Sequence, residues 1–431
     1  MGSELWGELL TPAAVLVIDH AVNSAGDRLE TLCGCKAVRG ARGNAAFNLL
    51  LYAGNTAITK QVTDRLEPFV RPHVVPNVRP NIDQENLLPA QEKLSEIVYL
   101  RRSHQLGGLQ SYSTISSVTP QPSLRAFGRM IQFLNKLSGT SQGVLGIDLG
   151  SATTGVAAAR QEIFSMLALP FGSGYGLAAA LERTPLESIT RWLPMHVPDE
   201  MVRYYLWHRT LYPAAVPQGL EFQAIEQAML RQTLALVANR ISSEEGIYGF
   251  EPILVSGYAL TQALSPAQAL LTLLDGLQPI GVTTFILDPF GLLTALGAIA
   301  PLNPTLVVQT LESNALLNLG TVIAPISAAR YGTPILKVRY ELENGETSTV
   351  DVRQGMLVPL PIPNGQRARL HLHPLRPLHL TPTGKDTTRS FRITGGLLGA
   401  VIDARGRPLE LPSDSARRRD LLKRWMAALG S

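Results

Sequence analysis

Three short segments carry groups that could handle a phosphate tail. The first holds Asp148, Gly150, Ser151, Thr153 and Thr154. A glycine there lets backbone N–H groups approach phosphate oxygens, and the hydroxyls can donate hydrogen bonds. Asp148 can hold a magnesium ion through water, or position an attacking water, so it is expected as both the catalytic carboxylate and the metal ligand. The second segment is Ser256, Gly257 and Tyr258, where a glycine at the start of a helix would let an adenosine or its phosphates lie against the backbone. The third is Asp288. The same residues also have ordinary uses. Asp148 to Ser151 reads equally as a hairpin turn, and Asp288 ahead of Pro289 reads better as a helix cap.

The elements around these segments decide whether they can meet. Strands are predicted at 143–148, 154–159 and 162–169, joined by two hairpins. Helices follow at 177–193, 200–211 and 220–241, the last with Phe222, Ile225, Met229 and Leu236 on one face. Strands at 252–256 and 282–287 then each lead into a helix. That order makes the first, fourth and fifth strands parallel and brings their C-terminal ends to one sheet edge, where ligands of open α/β sheets collect. All three segments fall on that edge.

Flanking this part, residues 1–140 read as an α/β segment, with buried strands at 14–18 and 48–52 and a helix at 86–100. After residue 318, short alternating strands are punctuated by Asn344 and Gly345, Asn364 and Gly365, Gly395 and Gly396, and Gly406, which predicts a small all-β domain. One amphipathic helix capped by Asp414 closes the chain. The expected division is therefore 1–140, 141–317, 318–412 and 413–431.

Composition narrows the function. A net charge of +4 over 431 residues, with Lys and Arg scattered among the acids, gives no footprint for nucleic acid. Arg417, Arg418, Arg419, Lys423 and Arg424 read as the solvated face of the terminal helix. The longest apolar run, 285–308, is broken by Asp288, Pro289, Pro301 and Pro304 and makes a poor membrane span. With no secretory signal in view and only Cys33 and Cys35, too close to staple a domain, a cytoplasmic protein is expected. Gly172, Gly174 and Gly176 lack the dinucleotide spacing and are expected in a flexible loop. His371 and His373 share a strand face with Arg369, opposite Ala368, Leu370 and Leu372, and should lie in solvent rather than on a metal. No P-loop, nucleophile elbow or HExxH occurs.

The middle segment resembles one lobe of the actin, Hsp70 and sugar-kinase type. Over most of its length the chain resembles the MutL proteins associated with coenzyme-B12-dependent glutamate mutase, which share only a name with the mismatch-repair protein. The resemblance rests on Tyr52 to Asn55, residues 75–80 and 86–89, Gly146 through Thr154, Asp275 to Pro279, Leu296 with Gly297, residues 319–325, residues 395–399, and Asp403 to Pro408. It implies an RNase H-like lobe, an ATP and magnesium cofactor, and a chaperone or reactivase role on a B12-dependent mutase subunit. The signature of cobalamin-binding subunits is absent, so the cobalamin would belong to the partner. The chain departs from the family pattern at Gly155, where an aspartate is expected, and at Tyr258, where a second glycine is expected. The glycine-rich stretch after the first strand survives only as residues 19–26, and the first phosphate motif has no counterpart before residue 14, so the N-terminal lobe is expected to be incomplete. Three functions follow, in order: a degenerate nucleotide binder acting through partner contacts; an active Mg-ATP-hydrolysing reactivase, needing a lobe from another chain or a homodimer; and a small-molecule kinase.

Overall fold

An unbroken apolar run forms a strand where both of its faces are covered, and residues 50–53 find such cover. The computed structural model describes residues 15–18, 49–67, 72–81, 86–105, 108, 111, 115, 120–139, 141–244, 249–381 and 390–430. They belong to two compact units, Met1–Pro122 and Ser123–Ser431. In the first unit β1 (Val15–Ile18), β2 (Leu49–Tyr52) and β3 (Pro72–Val74) pair in parallel in that order. Leu50 and Tyr52 pack on Val62 and Leu66 of α1 (Thr59–Leu66). Leu51 and Ala53 pack on Val75, Val78 and two residues of α2 (Leu88–Gln105), Ala90 and Leu94. Cys33, Cys35 and residues 19–26 lie outside the described residues.

The second unit opens with α3 (Ser123–Ser138), whose Phe127, Met130 and Ile131 are fully buried against the sheet that follows. The boundary expected at residue 140 therefore falls after a helix that belongs to this unit, because its apolar stripe is covered here. Then come β4 (Val144–Leu149), β5 (Thr154–Arg160), β6 (Ile163–Leu169), α4 (Leu177–Glu182) and α5 (Leu186–Thr190). Pro185, with extended backbone at the start of α5, divides the single helix predicted over 177–193. Next are α6 (Asp199–Leu211), α7 (Gly219–Glu244), β7 (Ile253–Ser256), α8 (Tyr258–Thr261), α9 (Pro266–Leu277), β8 (Gly281–Asp288), α10 (Leu292–Ile299), α11 (Pro304–Glu312) and β9 (Leu317–Ala324).

Strands β4 to β8 lie in the order β6-β5-β4-β7-β8, with β5 antiparallel to both neighbours and β4, β7 and β8 parallel. That is the RNase H-like arrangement. Helices cover both faces: α3 and α10 bury Leu254, Ala157 and Val144, while α4 to α7 and α9 bury Leu145, Ile147, Val255 and Phe285.

The C-terminal part is all-β up to its final helix: β10 (Pro334–Leu342), β11 (Thr347–Arg353), β12 (Leu357–Leu360), β13 (Arg367–Pro374), β14 (Ser390–Thr394), β15 (Ala400–Asp403) and then α12 (Ser415–Leu429). Two of these strands, β12 and β15, join β9 in extending the central sheet, which reads β12-β15-β9-β8-β7-β4-β5-β6 in full, and the other four form a second sheet, β11-β10-β13-β14. The division expected at 317/318 thus runs through the β8–β9 ladder. Asp414 caps α12, accepting from the Arg417 amide at 2.8 Å. His373 is exposed and His371 half-buried, opposite buried Ala368, Leu370 and Leu372. Among the described residues no helix is long and apolar enough to cross a membrane.

Candidate functional site

Asp148 is register-paired with Ser256, and Ser256 with Asp288, so three polar residues stand in a row at the C-terminal ends of β4, β7 and β8. Alternation along the strands sends Ile147, Val255 and Leu287 into the core under α7 and α9 and turns this row toward α3 and α10. Asp148 is half-buried. Burial pushes its carboxyl above the usual range, the Asp288 charge adds to this, and a hydrogen bond from Ser256 opposes it. Asp288 is engaged elsewhere. Its two oxygens accept from the amides of Phe290, Leu292 and Leu293 at 3.2, 2.9 and 2.8 Å, so it caps α10.

The turn after β4 is tight, with the Gly150 amide donating to both the Asp148 and Thr153 carbonyls at 3.1 Å. The next three amides, Ser151, Ala152 and Thr153, have no acceptor among the described residues. Successive amides at a turn form a concave donor surface for an anion. Thr154 takes no part, since its buried hydroxyl donates to the Phe171 carbonyl at 2.7 Å. It holds the end of β6 instead of a phosphate.

Gly172, Gly174 and Gly176 are not a flexible loop. The amides of Ser173, Gly174 and Gly176 donate to the Gly150 and Ser151 carbonyls at 3.0, 2.9 and 3.0 Å, and the Tyr175 amide reaches the Ser151 hydroxyl at 3.4 Å. A Cβ at Gly172 or Gly176 would overlap the backbone of Ser151 and Ala152. The loop braces the turn from below, which leaves the turn amides facing outward.

Gly257 has φ +136, and a Cβ there would fall on the Leu149 carbonyl. Only glycine lets the β7–α8 turn come this close to the end of β4. Ser256 is buried beside Asp148, and Tyr258 is 53 % exposed. The fold thus gathers Asp148, Gly150, Ser151, Thr153, Ser256, Gly257 and Tyr258 at one edge and removes the Thr154 hydroxyl from it. Among the described residues no group of three or more His, Cys, Asp or Glu is placed to hold a metal, so a cation here would rest on Asp148, water and a ligand's own oxygens.

The profile of the MutL protein family matches residues 35–315. The chain belongs to that family. It is the MutL family distinct from the mismatch-repair protein. No curated protein matches this MutL chain. Solved structures with similarity include the ethanolamine utilization protein EutJ from Carboxydothermus hydrogenoformans, at 14% identity over 56% of this chain and 71% of that one, with a TM-score of 0.25. The activator of the 2-hydroxyisocaproyl-CoA dehydratase from Clostridium difficile, with bound ADPNP, matches at 14% identity over 44% and 69%, TM-score 0.24. Component A of the (R)-2-hydroxyglutaryl-CoA dehydratase from Acidaminococcus fermentans matches at 11% identity over 64% and 83%, TM-score 0.24. Overlays this loose define no shared geometry, and the fold stands on the strand order above.

Sequence reasoning missed a second polar feature of this MutL chain. Asp275 on α9 receives Arg231 at 2.7 Å on one oxygen and Arg405 at 2.6 Å on the other. Arg405 also grips Asp403 at 2.9 and 3.0 Å, and Arg407 reaches the same carboxylate at 2.5 Å. Full burial works to raise the Asp403 pKa, but Arg405 and Arg407 outweigh it and hold that carboxyl far below the usual range. The Arg405 guanidinium lies 4.7 Å from the ring centroid of Trp425, whose Nε1 donates to the Gly355 carbonyl at 3.0 Å. Two stretches singled out by their resemblance, 275–279 and 403–408, are thereby tied together and to α12. The available signal was the density of Asp and Arg in 403–407, which no periodicity connects to Asp275.

Proposed function

We propose that this MutL chain is a cytoplasmic nucleotide-binding protein that holds ATP and magnesium weakly at the Asp148 edge and acts through contact with a B12-dependent mutase. The observation that carries the nucleotide reading is the turn after β4: three consecutive amides without acceptors, braced from below, beside a half-buried carboxylate. Ser151, Ala152 and Thr153 would cradle phosphate oxygens through their amides, and the exposed Thr153 side chain would add a hydroxyl donor. Asp148 would hold magnesium through water, and the ion would neutralise phosphate charge. The positive-φ glycine at 257 leaves the backbone open to an adenosine, while the exposed Tyr258 offers a ring beside it. The mutase partner rests on the family resemblance.

Weak turnover follows from how few groups converge. Phosphoryl transfer needs charge neutralised from several sides. Here the Thr154 hydroxyl is engaged with Phe171, Asp288 is engaged as a cap, and Gly155, paired opposite Asp148, brings no side chain. The raised pKa of Asp148 does suit a base that takes a proton from water, which favours active hydrolysis as the second reading. Calorimetry of Mg-ATP with the parent protein and Asp148→Asn tests the first reading: saturable binding lost in the variant supports it, and no heat from either protein sinks it. Steady-state phosphate release separates the two readings.

A further inference from the structure

The second sheet, β11-β10-β13-β14, buries one face and exposes the other. Val338, Tyr340, Leu370 and Leu372 lie in its core. Alternation therefore turns Lys337, Arg339 and Glu341 of β10 outward, and on β13 Arg367, Arg369 and His373, with half-buried His371 among them. Strand register sets these side chains in rows. One row reads Asp351, Lys337 and His373, a second Thr349, Arg339, His371 and Ser390, and a third Thr347, Glu341, Arg369 and Arg392. Arg367 follows beside Thr394. Lys337 reaches Asp351 at 3.7 Å, but among the described residues Arg339, Arg367, Arg369 and Arg392 meet no carboxylate within ion-pair distance. Arg369 and Arg392 are direct cross-strand partners, and like charges so placed repel.

The basic residues also share a spacing. Arg367, Arg369, His371 and His373 recur at every second position of β13, about 7 Å apart. An extended chain with a carboxylate at every second position has the same repeat. Other polyanions fit less well. Four strands about 4.8 Å apart span about 14 Å, too broad for a duplex major groove of about 12 Å. Among the described residues no exposed large hydrophobic lies on these strands, so the face has no ring to stack on a base and nothing to insert into a lipid layer. Glu341 and Asp351, with exposed Glu343 and Glu346 on the β10–β11 turn, edge the arginines with negative charge that repels an unbroken anionic surface.

We propose that this face docks an acidic, extended segment of a protein partner, whose alternate carboxylates lie along β13 and are taken by Arg367, Arg369 and Arg392. Arginine suits the role because its planar fork takes a carboxylate through two parallel hydrogen bonds. A carboxylate between Arg369 and Arg392 also removes their repulsion. A second copy of the same face is a poor occupant, since two arginine rows would then oppose each other. This surface rests on the partner-contact reading only in taking its occupant to be a protein, and it makes no use of the Asp148 edge.

The test uses the full chain and the fluorescence anisotropy of a labelled peptide alternating Glu and Thr, with a peptide alternating Gln and Thr as reference. The acidic peptide is expected to bind saturably at low salt and to weaken as salt screens the charges, while the amide peptide stays free. Arg369→Gln and Arg392→Gln should each weaken binding about fivefold, and Arg369→Glu combined with Arg392→Glu should abolish it. Arg417→Glu combined with Lys423→Glu makes the same charge change at exposed positions of α12 and should leave binding intact, which separates the site from net charge. Asp148→Asn should leave it intact as well, so loss of this surface and loss of Mg-ATP binding read out separately. Duplex DNA and phosphatidylserine vesicles, run beside the peptide, are expected to bind more weakly. If the substituted proteins do not fold, phenylglyoxal modification of the parent decides, with the acidic peptide expected to slow modification at Arg369 and Arg392 but not at Arg417. Absence of peptide binding, binding that survives the double reversal or falls equally in the α12 variant, tighter binding of DNA or vesicles, or no protection in the parent overturns the proposal.

Discussion

At Asp148 ionisation and folding oppose each other. Burial beside Asp288 raises the folded-state pKa above its value in the unfolded chain, so the folded protein holds that proton more tightly. Stability should therefore fall as pH rises from about 4, the unfolded value, through the raised one. Asp148→Asn removes the buried charge. The variant is expected to melt above the parent at neutral pH, with the gap closing in acid below about pH 4, while Mg-ATP binding is lost; parallel thermal melts across pH and calorimetry check both halves. At Gly257 the constraint is backbone. Gly257→Ala combines strain at φ +136 with a clash on the Leu149 carbonyl, and should cost about 1–3 kcal/mol or more in urea unfolding. Asp148 and Gly257 were legible as candidates because the strand order puts both on the edge where ligands of open α/β sheets collect, which decides against their ordinary use in turns. The engagement of Thr154 was not, since its partner Phe171 is set by how β6 returns to the turn.

Among elements, the 403–407 segment and α9 act as a clasp. Arg405→Met would leave Asp275 and Asp403 buried with one partner each removed, and breaking such a pair should destabilise by about 3–5 kcal/mol. Guanidinium unfolding measures that loss, and Trp425 fluorescence should shift as its cation is removed. The glycine loop under the phosphate turn gives a second element-level expectation. Gly176→Ala must push the Ala152 backbone outward, so nucleotide binding should weaken far more than the melting temperature falls, a contrast that paired calorimetry and melts would register. Strand positions followed from periodicity to within a residue, while two helices run past their expected ends, α2 to Gln105 beyond 100 and α7 to Glu244 beyond 241. Other differences have local or remote causes: Pro185 splits the helix over 177–193, and α3 joins the second unit because Phe127, Met130 and Ile131 are covered there.

For the whole molecule, residues 123–431 enclose their own cores and should unfold in one cooperative transition when expressed alone, as followed by circular dichroism against urea. A chain ending at residue 317 should aggregate instead. It would strip β9 from β8 and expose a long apolar edge at Phe285, Ile286 and Leu287. Light scattering during refolding distinguishes the two outcomes. A boundary at 317/318 is reasonable in sequence, where helical spacing gives way to short strands, yet β9, β12 and β15 hydrogen-bond into the sheet begun by β4.

The sequence by itself determined the order of strands and helices from 143 to 299, the parallel edge that follows from that order, and the residues that end on it, because period and turn chemistry are local properties of the chain. Tertiary structure decided what those residues are free to do. Whether Thr154 faces a phosphate or Phe171, whether Gly172 to Gly176 flexes or braces, and whether Asp275 and Asp403 are solvated or clasped by three arginines all depend on partners distant in the chain. Hydrogen bonds and ion pairs act over a few ångströms in space, and spacing along the sequence carries no record of which distant groups come within that range.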